Sequence, residues 1–124
     1  MKVIVTGREN FNPDDHLIFA PNHQNALMDA LAVVYTLKTQ PVFLTRADIF
    51  RKKFVSAILY YLKMLPVYRI RDGFNSLKGN EEIFEKTINV LKNKNGLVIL
   101  PEGNHEGFRR LRQLKKGICR IAFQ

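Results

Sequence analysis

The chain is predicted to be an α/β domain, a largely parallel or mixed sheet flanked by helices, and three features of the sequence point there. Short apolar or β-branched runs alternate with longer segments of helical period, the pattern of strand–helix–strand units. Two of the runs, "LIFA" and "LVIL", are apolar throughout, as strands are when both faces of a sheet are covered. Proline, glycine and asparagine punctuate the junctions.

The elements follow in order. "VIVTG" (3 to 7) is β-branched and closes on Gly7, so it reads as a first strand. "FNPDDH" (11 to 16) is turn chemistry, and "LIFA" (17 to 20) is a second strand, expected near the centre of the sheet. Residues 25 to 38 carry Leu27, Leu31, Val34 and Leu37 at helical spacing. Pro41 separates that helix from a strand at "VFLT" (42 to 45). A second helix is expected over roughly 47 to 64, and Pro66 precedes a short strand at "VYRI" (67 to 70). The segment "NEEIFEKTINVLKNKNG" (80 to 96) is a strong helix, with Asn80 in the N-cap position, Glu81 and Glu82 in the first turn and Gly96 as its stop. "LVIL" (97 to 100) is a further buried strand. "GICRIAFQ" starts a last helix, with Ile118, Ile121 and Ala122 on one face and Cys119 expected to pack as a small buried hydrophobe. A parallel sheet ordinarily follows such a helix with another strand, so the expectation is one domain over residues 1 to 124, incomplete at its C-terminal end.

Composition bounds the function. A hydrophobic fraction of 46% with 25% charged residues belongs to a chain that folds rather than a disordered one. The single cysteine excludes an internal disulfide and fits a reducing compartment. The opening "MKVIVTG" lacks the apolar core of a signal peptide, and no apolar stretch approaches the ~18 residues of a membrane span. The net charge of +9 draws anions: nucleic acid, anionic headgroups or phosphorylated substrates.

Sites in open α/β sheets gather at the carboxyl ends of strands. Three predicted strands end in polar clusters: "LIFA" runs into "PNHQN", "VYRI" into "RDG", and "LVIL" into "PEGNHEG". The first cluster sets down Asn22 and His23, with a carboxylate following at Asp29. A histidine titrates near neutrality and is the side chain best suited to take a proton from a hydroxyl.

In order, "NHQNALMD" (22 to 29), "LPVYR" (65 to 69), "LPEGNHE" (100 to 106) and "LKKGICRIA" (114 to 122) resemble the blocks of the glycerolipid acyltransferase family, which includes glycerol-3-phosphate and 1-acylglycerol-3-phosphate acyltransferases. The resemblance runs from about residue 3 to 123. It implies transfer of a fatty acyl group from acyl-CoA or acyl carrier protein to a hydroxyl of a phosphorylated glycerol or a lysophospholipid, with the carrier a co-substrate and no metal or bound cofactor. His23 would be the general base and Asp29 would orient and stabilise its ring, as in a Ser-His-Asp triad whose serine is replaced by the substrate hydroxyl. Arg69 would hold the acceptor phosphate. Asn22, Glu102 and Gly103 would shape the acceptor site, Gly103 by close backbone approach. Main-chain N–H groups after Pro21 are candidates for steadying the oxyanion. The protein would sit peripherally on the cytoplasmic face of a membrane.

The sequence departs from the family pattern in two places, and a third departure is that the family's fourth block, a proline-bearing strand, is expected only just past Gln124. Five residues, rather than four, separate His23 from Asp29; six positions turn a helix about 600°, so the histidine must sit in the loop and the aspartate in the first helical turn. After Pro-Glu-Gly come Asn104 and His105 rather than Thr-Arg, leaving Arg71, Arg109, Arg110 or Arg112 to supply that charge. His105 and Glu106 match no compact metal-ligand spacing. Residues 48 to 65 are apolar with a basic patch at Arg51, Lys52 and Lys53; they suit either core packing or a membrane surface. The rival readings are a basic module that binds nucleic acid, against which no recognised signature or aromatic stacking platform appears, and a lipid-binding fragment without turnover.

Overall fold

The computed structural model describes residues 4–10, 12, 14–23, 25–37, 39–68, 75–103, 110, 111 and 113–123. Four strands, β1 (Ile18–Phe19), β2 (Val42–Arg46), β3 (Met64–Val67) and β4 (Leu97–Val98), form one sheet in the order β1-β4-β2-β3. Every pairing is parallel. The strands alternate with α1 (Ala26–Thr36), α2 (Lys53–Tyr61) and α3 (Asn75–Lys92), and α4 (Gly117–Ala122) follows β4. The α/β class read from the sequence is therefore the architecture found.

The core lies at the centre of the sheet. Val42, Leu97 and Ile121 are buried together, with Ile18, Leu44, Leu65, Phe84, Val90, Leu91 and Ile99 packed around them. Side chains two apart on a strand share a face, so Val42 and Leu44, with Leu97 and Ile99, present one apolar surface to α3 and α4. Leu97 is fully buried; covering a leucine side chain is worth about 1.5–3 kcal/mol. On the exposed side of α3, Lys86 Nζ lies 2.6 Å from Glu82 Oε1, which lowers the carboxyl pKa and raises that of the amine. Both groups are solvated, so the pair adds little.

Several elements differ from expectation, each for a local reason. Residues 4 to 7 join no strand: Gly7 takes φ +82°, a 3-10 turn follows at Arg8–Asn10, and Arg8 Nη2 donates to Thr36 O at 2.8 Å. That bond ties the segment to the carbonyl end of α1 instead of to β1. A cleft of about 460 Å³, lined by Val5, Ile18, Phe19, Val33 and Leu37 among others, lies between them. Consequently β1 stands at one edge of the described sheet, not its centre. The expected second helix divides into a 3-10 turn, Ala47–Arg51, and α2. β3 covers Met64–Val67 and so starts three positions before the expected strand, because Lys63 at φ +56° ends the α2 turn abruptly and Phe43 N–H already bonds Lys63 O at 3.0 Å; residues 69 and 70 of that expectation lie outside the described residues. Pro66 is tolerated inside β3 because the strand is at the edge.

α3 begins at Asn75, five positions before the expected cap, so Asn80 is an interior residue and not an N-cap. Its stop is Lys94 rather than Gly96: Lys94 has φ +56°, Lys94 N–H bonds Leu91 O and Asn95 N–H bonds Val90 O, the paired bonds of a Schellman end. Gly96 is needed for space, since a Cβ there would lie 2.9 Å from Phe19 Cε2. In α1, Leu31 and Val34 of the helically spaced set are exposed; among the described side chains of the helix, Asp29, Ala30, Val33 and Thr36 are half-buried. In α4 only Ile121 is buried; Ala122 and Cys119 are exposed, because one short helix covers the core with a single side chain.

Candidate active site

Parallel pairing brings all four carboxyl ends to one rim, and the strand order decides which loops meet there. The crossover from β3 returns the chain past β2, so β4 is inserted between β1 and β2. The loops after β1 and β4 are thereby neighbours. Ile18 pairs with Leu97 and Phe19 with Val98, so residues four or five beyond each register pair stand opposite one another.

His23 and Glu102 meet at that place. His23 N–H donates to Glu102 Oε1 at 3.0 Å, across 79 positions of sequence. Glu102 is only 5% exposed, so this bond is how a buried carboxylate is satisfied. The loop that carries it is a turn closed by Gly103 N–H to Leu100 O at 3.0 Å. Gly103 has φ +67°, which an L side chain adopts only at a cost, whereas an added Cβ would have room, with Lys115 Cγ nearest at 3.6 Å. The glycine is therefore required for its backbone conformation, and no neighbour among the described residues demands its missing side chain. Lys115 N–H donates to Pro101 O at 2.8 Å, docking the downstream basic segment on the same turn.

The longer loop between His23 and Asp29 still closes. His23 Nδ1 and Asp29 Oδ2 are 3.0 Å apart, with the side chains 13% and 21% exposed. Asp29 lies in the first turn of α1, and its Oδ2 also accepts Asn25 N–H at 2.8 Å. Asn25 O in turn accepts Met28 N–H at 2.8 Å, which turns the chain into the helix. The main-chain bond to Asp29 fixes the carboxylate, and the carboxylate fixes the ring. A carboxylate only accepts, so in the neutral form of the ring this contact places the hydrogen on Nδ1 and the lone pair on Nε2.

Asn22 is exposed next to His23. Of the main-chain donors after Pro21, those of His23 and Asn25 are engaged by Glu102 and Asp29, which narrows the choice for an oxyanion. Arg69, Arg71, Asn104, His105, Glu106, Arg109 and Arg112 lie outside the described residues; Arg110 is exposed. β3, the strand leading to Arg69, ends at this same rim. One rim cation escaped the sequence reading. Arg46 closes β2, the strand between β4 and β3, with Nε donating to Asp48 Oδ1 at 3.1 Å and Nη2 paired with Asp48 Oδ2. A charged residue closing an apolar run, with its counter-ion two positions on, was the signal available. Among the described residues no group of three or more His, Cys, Asp and Glu side chains is placed to hold a metal ion.

The sequence model of the family described as "Acyltransferase" matches residues 2–124. The chain belongs to the acyltransferase family. This acyltransferase-family chain is similar to the 1-acyl-sn-glycerol-3-phosphate acyltransferase of Borreliella burgdorferi, at 30% identity over 124 residues, which is 100% of this chain and 47% of that protein. The chain thus spans about half the length of the curated relative it matches. No solved structure matches it. Family membership accords with the order of the sequence blocks and with the parallel α/β sheet on which this acyltransferase-family chain carries them.

Proposed function

We propose that the protein carrying this chain transfers a fatty acyl group from a thioester, acyl-CoA or acyl carrier protein, to a hydroxyl of a glycerol phosphate or lysophospholipid. The observation that carries the reading is the 3.0 Å contact between His23 Nδ1 and Asp29 Oδ2 at the carboxyl rim of the sheet. His23 Nε2 takes the proton as the hydroxyl oxygen attacks the thioester carbonyl carbon. Asp29 stabilises the imidazolium that results. When the tetrahedral adduct collapses, the C–S bond breaks, the electron pair leaves with sulfur, and the imidazolium returns the proton to give the free thiol. No covalent intermediate on the protein and no resident cofactor is required.

Glu102 holds the main chain at His23, and Gly103 allows the turn that brings Glu102 there. Arg69 is assigned the acceptor phosphate on its sequence block, for its planar fork matches phosphate oxygens. The acceptor class is supported by the name of the Borreliella burgdorferi relative.

A peripheral place on the cytoplasmic face of a membrane belongs to the same reading. Among the described residues no helix is long and apolar enough to cross a bilayer. On α2, Phe54, Ile58 and Tyr61 fall at i, i+4 and i+7 and are all exposed, Phe54 by 79% and Tyr61 by 86%. Arg51, Lys52 and Lys53, also exposed, stand at the same end as Phe54. An apolar stripe with a basic end suits an anionic headgroup layer.

The test is thioester consumption by the full-length protein with a panel of acceptors. Glycerol 3-phosphate or 1-acylglycerol 3-phosphate should drive thiol release, and their unphosphorylated counterparts should be at least about tenfold poorer, the value of one charge-assisted contact. Equal rates with both sets, or no acceptor-dependent release, refute the proposal.

A further inference from the structure

Helix α3 contains, side by side in its interior, Gly79 and Asn80. Glycine is the poorest helix former after proline, and asparagine stands low because its amide competes for main-chain partners. Such a pair usually marks a helix boundary, yet α3 runs from Asn75 through both residues to Lys92. A local rule broken inside a regular element points to a tertiary demand on those positions.

The demand comes from Tyr68. Tyr68 N–H donates to Asn80 Oδ1 at 2.9 Å, and Asn80 Nδ2 donates to Tyr68 O at 2.8 Å. A single amide thus satisfies both main-chain groups of one residue, as a paired strand would, just where β3 has ended at Val67. Gly79 completes the fit: a Cβ there would stand 3.1 Å from Tyr68 Cε2 and 3.3 Å from Cδ2, so the ring rests on the bare helix backbone. Tyr68 is held by its main chain on one side and its ring on the other.

We infer that Gly79 and Asn80 are positioning residues which dock the exit of β3 on α3 and thereby set the origin of Arg69, the next residue, for the acceptor phosphate. The inference rests on the reading of Arg69 given above. The amide is suited to the task because it offers one donor and one acceptor in a plane, the complement of a peptide unit's N–H and C=O. Carboxylate, hydroxyl and ammonium side chains do not offer that pair in that geometry. Neither residue is assigned contact with substrate; both act through the main chain of Tyr68.

The experiment is steady-state acyl transfer by the full-length protein with 1-acylglycerol 3-phosphate as acceptor. In Asn80→Ala the acceptor KM rises about tenfold, the effect of losing two main-chain bonds, while the donor KM stays within about twofold. Gly79→Ala raises the acceptor KM about threefold while leaving thermal stability equal or higher, because alanine favours the helix as its Cβ displaces the ring. That combination, weaker acceptor use without loss of stability, is not what a purely structural role yields, and it keeps the inference open to test should Asn80→Ala fold poorly. Adding Asn80→Ala to Arg69→Ala changes the acceptor KM by less than about twofold, since the residue then has nothing to position. Unchanged acceptor KM in both α3 variants, or fully additive effects with Arg69→Ala, overturns the inference and leaves the acyl transfer standing. Absence of transfer by the unsubstituted protein overturns the functional reading, and this inference with it.

Discussion

Replacing Asp29 by asparagine separates charge from geometry at the dyad. Asp29 Oδ2 accepts from both His23 Nδ1 and Asn25 N–H, at 3.0 and 2.8 Å. An amide oxygen in the same place can accept from both donors, so the loop and the ring orientation survive; only the negative charge is lost. That charge matters little while the imidazole is neutral and much once it has taken the proton, so its effect falls on the transition state. At 3.0 Å, with both side chains mostly but not wholly covered, unit charges interact by about 5–6 kcal/mol at an effective dielectric near 20. Allowing for residual solvent screening, about 2–4 kcal/mol of transition-state stabilisation is removed, which is roughly 30- to 1000-fold in kcat. Stability should fall by less than about 1 kcal/mol because both hydrogen bonds remain. The assay is thiol release by full-length Asp29→Asn at saturating acceptor, together with urea unfolding. A kcat within threefold of the unsubstituted protein, with the fold intact, refutes the assignment of Asp29.

Three other substitutions probe the structure from different sides. Gly103→Ala should cost about 1–2 kcal/mol through its φ of +67° alone, and trimming a neighbour should not restore it. Gly96→Ala should cost a similar 1–3 kcal/mol for the opposite reason, overpacking against Phe19 at 2.9 Å, and Phe19→Leu should recover part of it; urea midpoints of the single and double variants decide between strain and space. The exposed α2 stripe predicts that Phe54→Ser with Tyr61→Ser weakens sedimentation with phosphatidylglycerol vesicles at least about tenfold, the value of withdrawing two rings from an apolar layer, and unchanged sedimentation argues against this face.

How far the sequence could be read depends on which interactions are local. The alternation of apolar runs and helical segments made the α/β class legible, since burial of Leu97, Val98, Val42 and Phe43 leaves its mark in the run itself. His23 and Asp29 were legible as a pair because the loop and first turn that join them are short. The strand order was not, because nothing in "VFLT" says that β4 will lie beside it, and with the order went the rim position of Arg46 and the edge position of β1. Asn80 illustrates the commonest failure. Gly-Asn ahead of two glutamates imitates a helix start, and only the distant partner Tyr68 explains why the pair lies inside the helix. Lys94 and Lys63 misled for a related cause: glycine is the usual left-handed residue, and at these turns lysine takes that conformation instead, so the neighbouring Gly96 drew the stop signal. Arg69 rests on its sequence block, since it lies outside the described residues.

The most direct measurement is the turnover of full-length His23→Ala with a long-chain acyl thioester and 1-acylglycerol 3-phosphate. A base that takes the hydroxyl proton contributes about 10²- to 10⁴-fold, so kcat should fall by that factor while both KM values move only a few-fold. A folded His23→Ala protein that transfers acyl groups at near the unsubstituted rate would contradict the account.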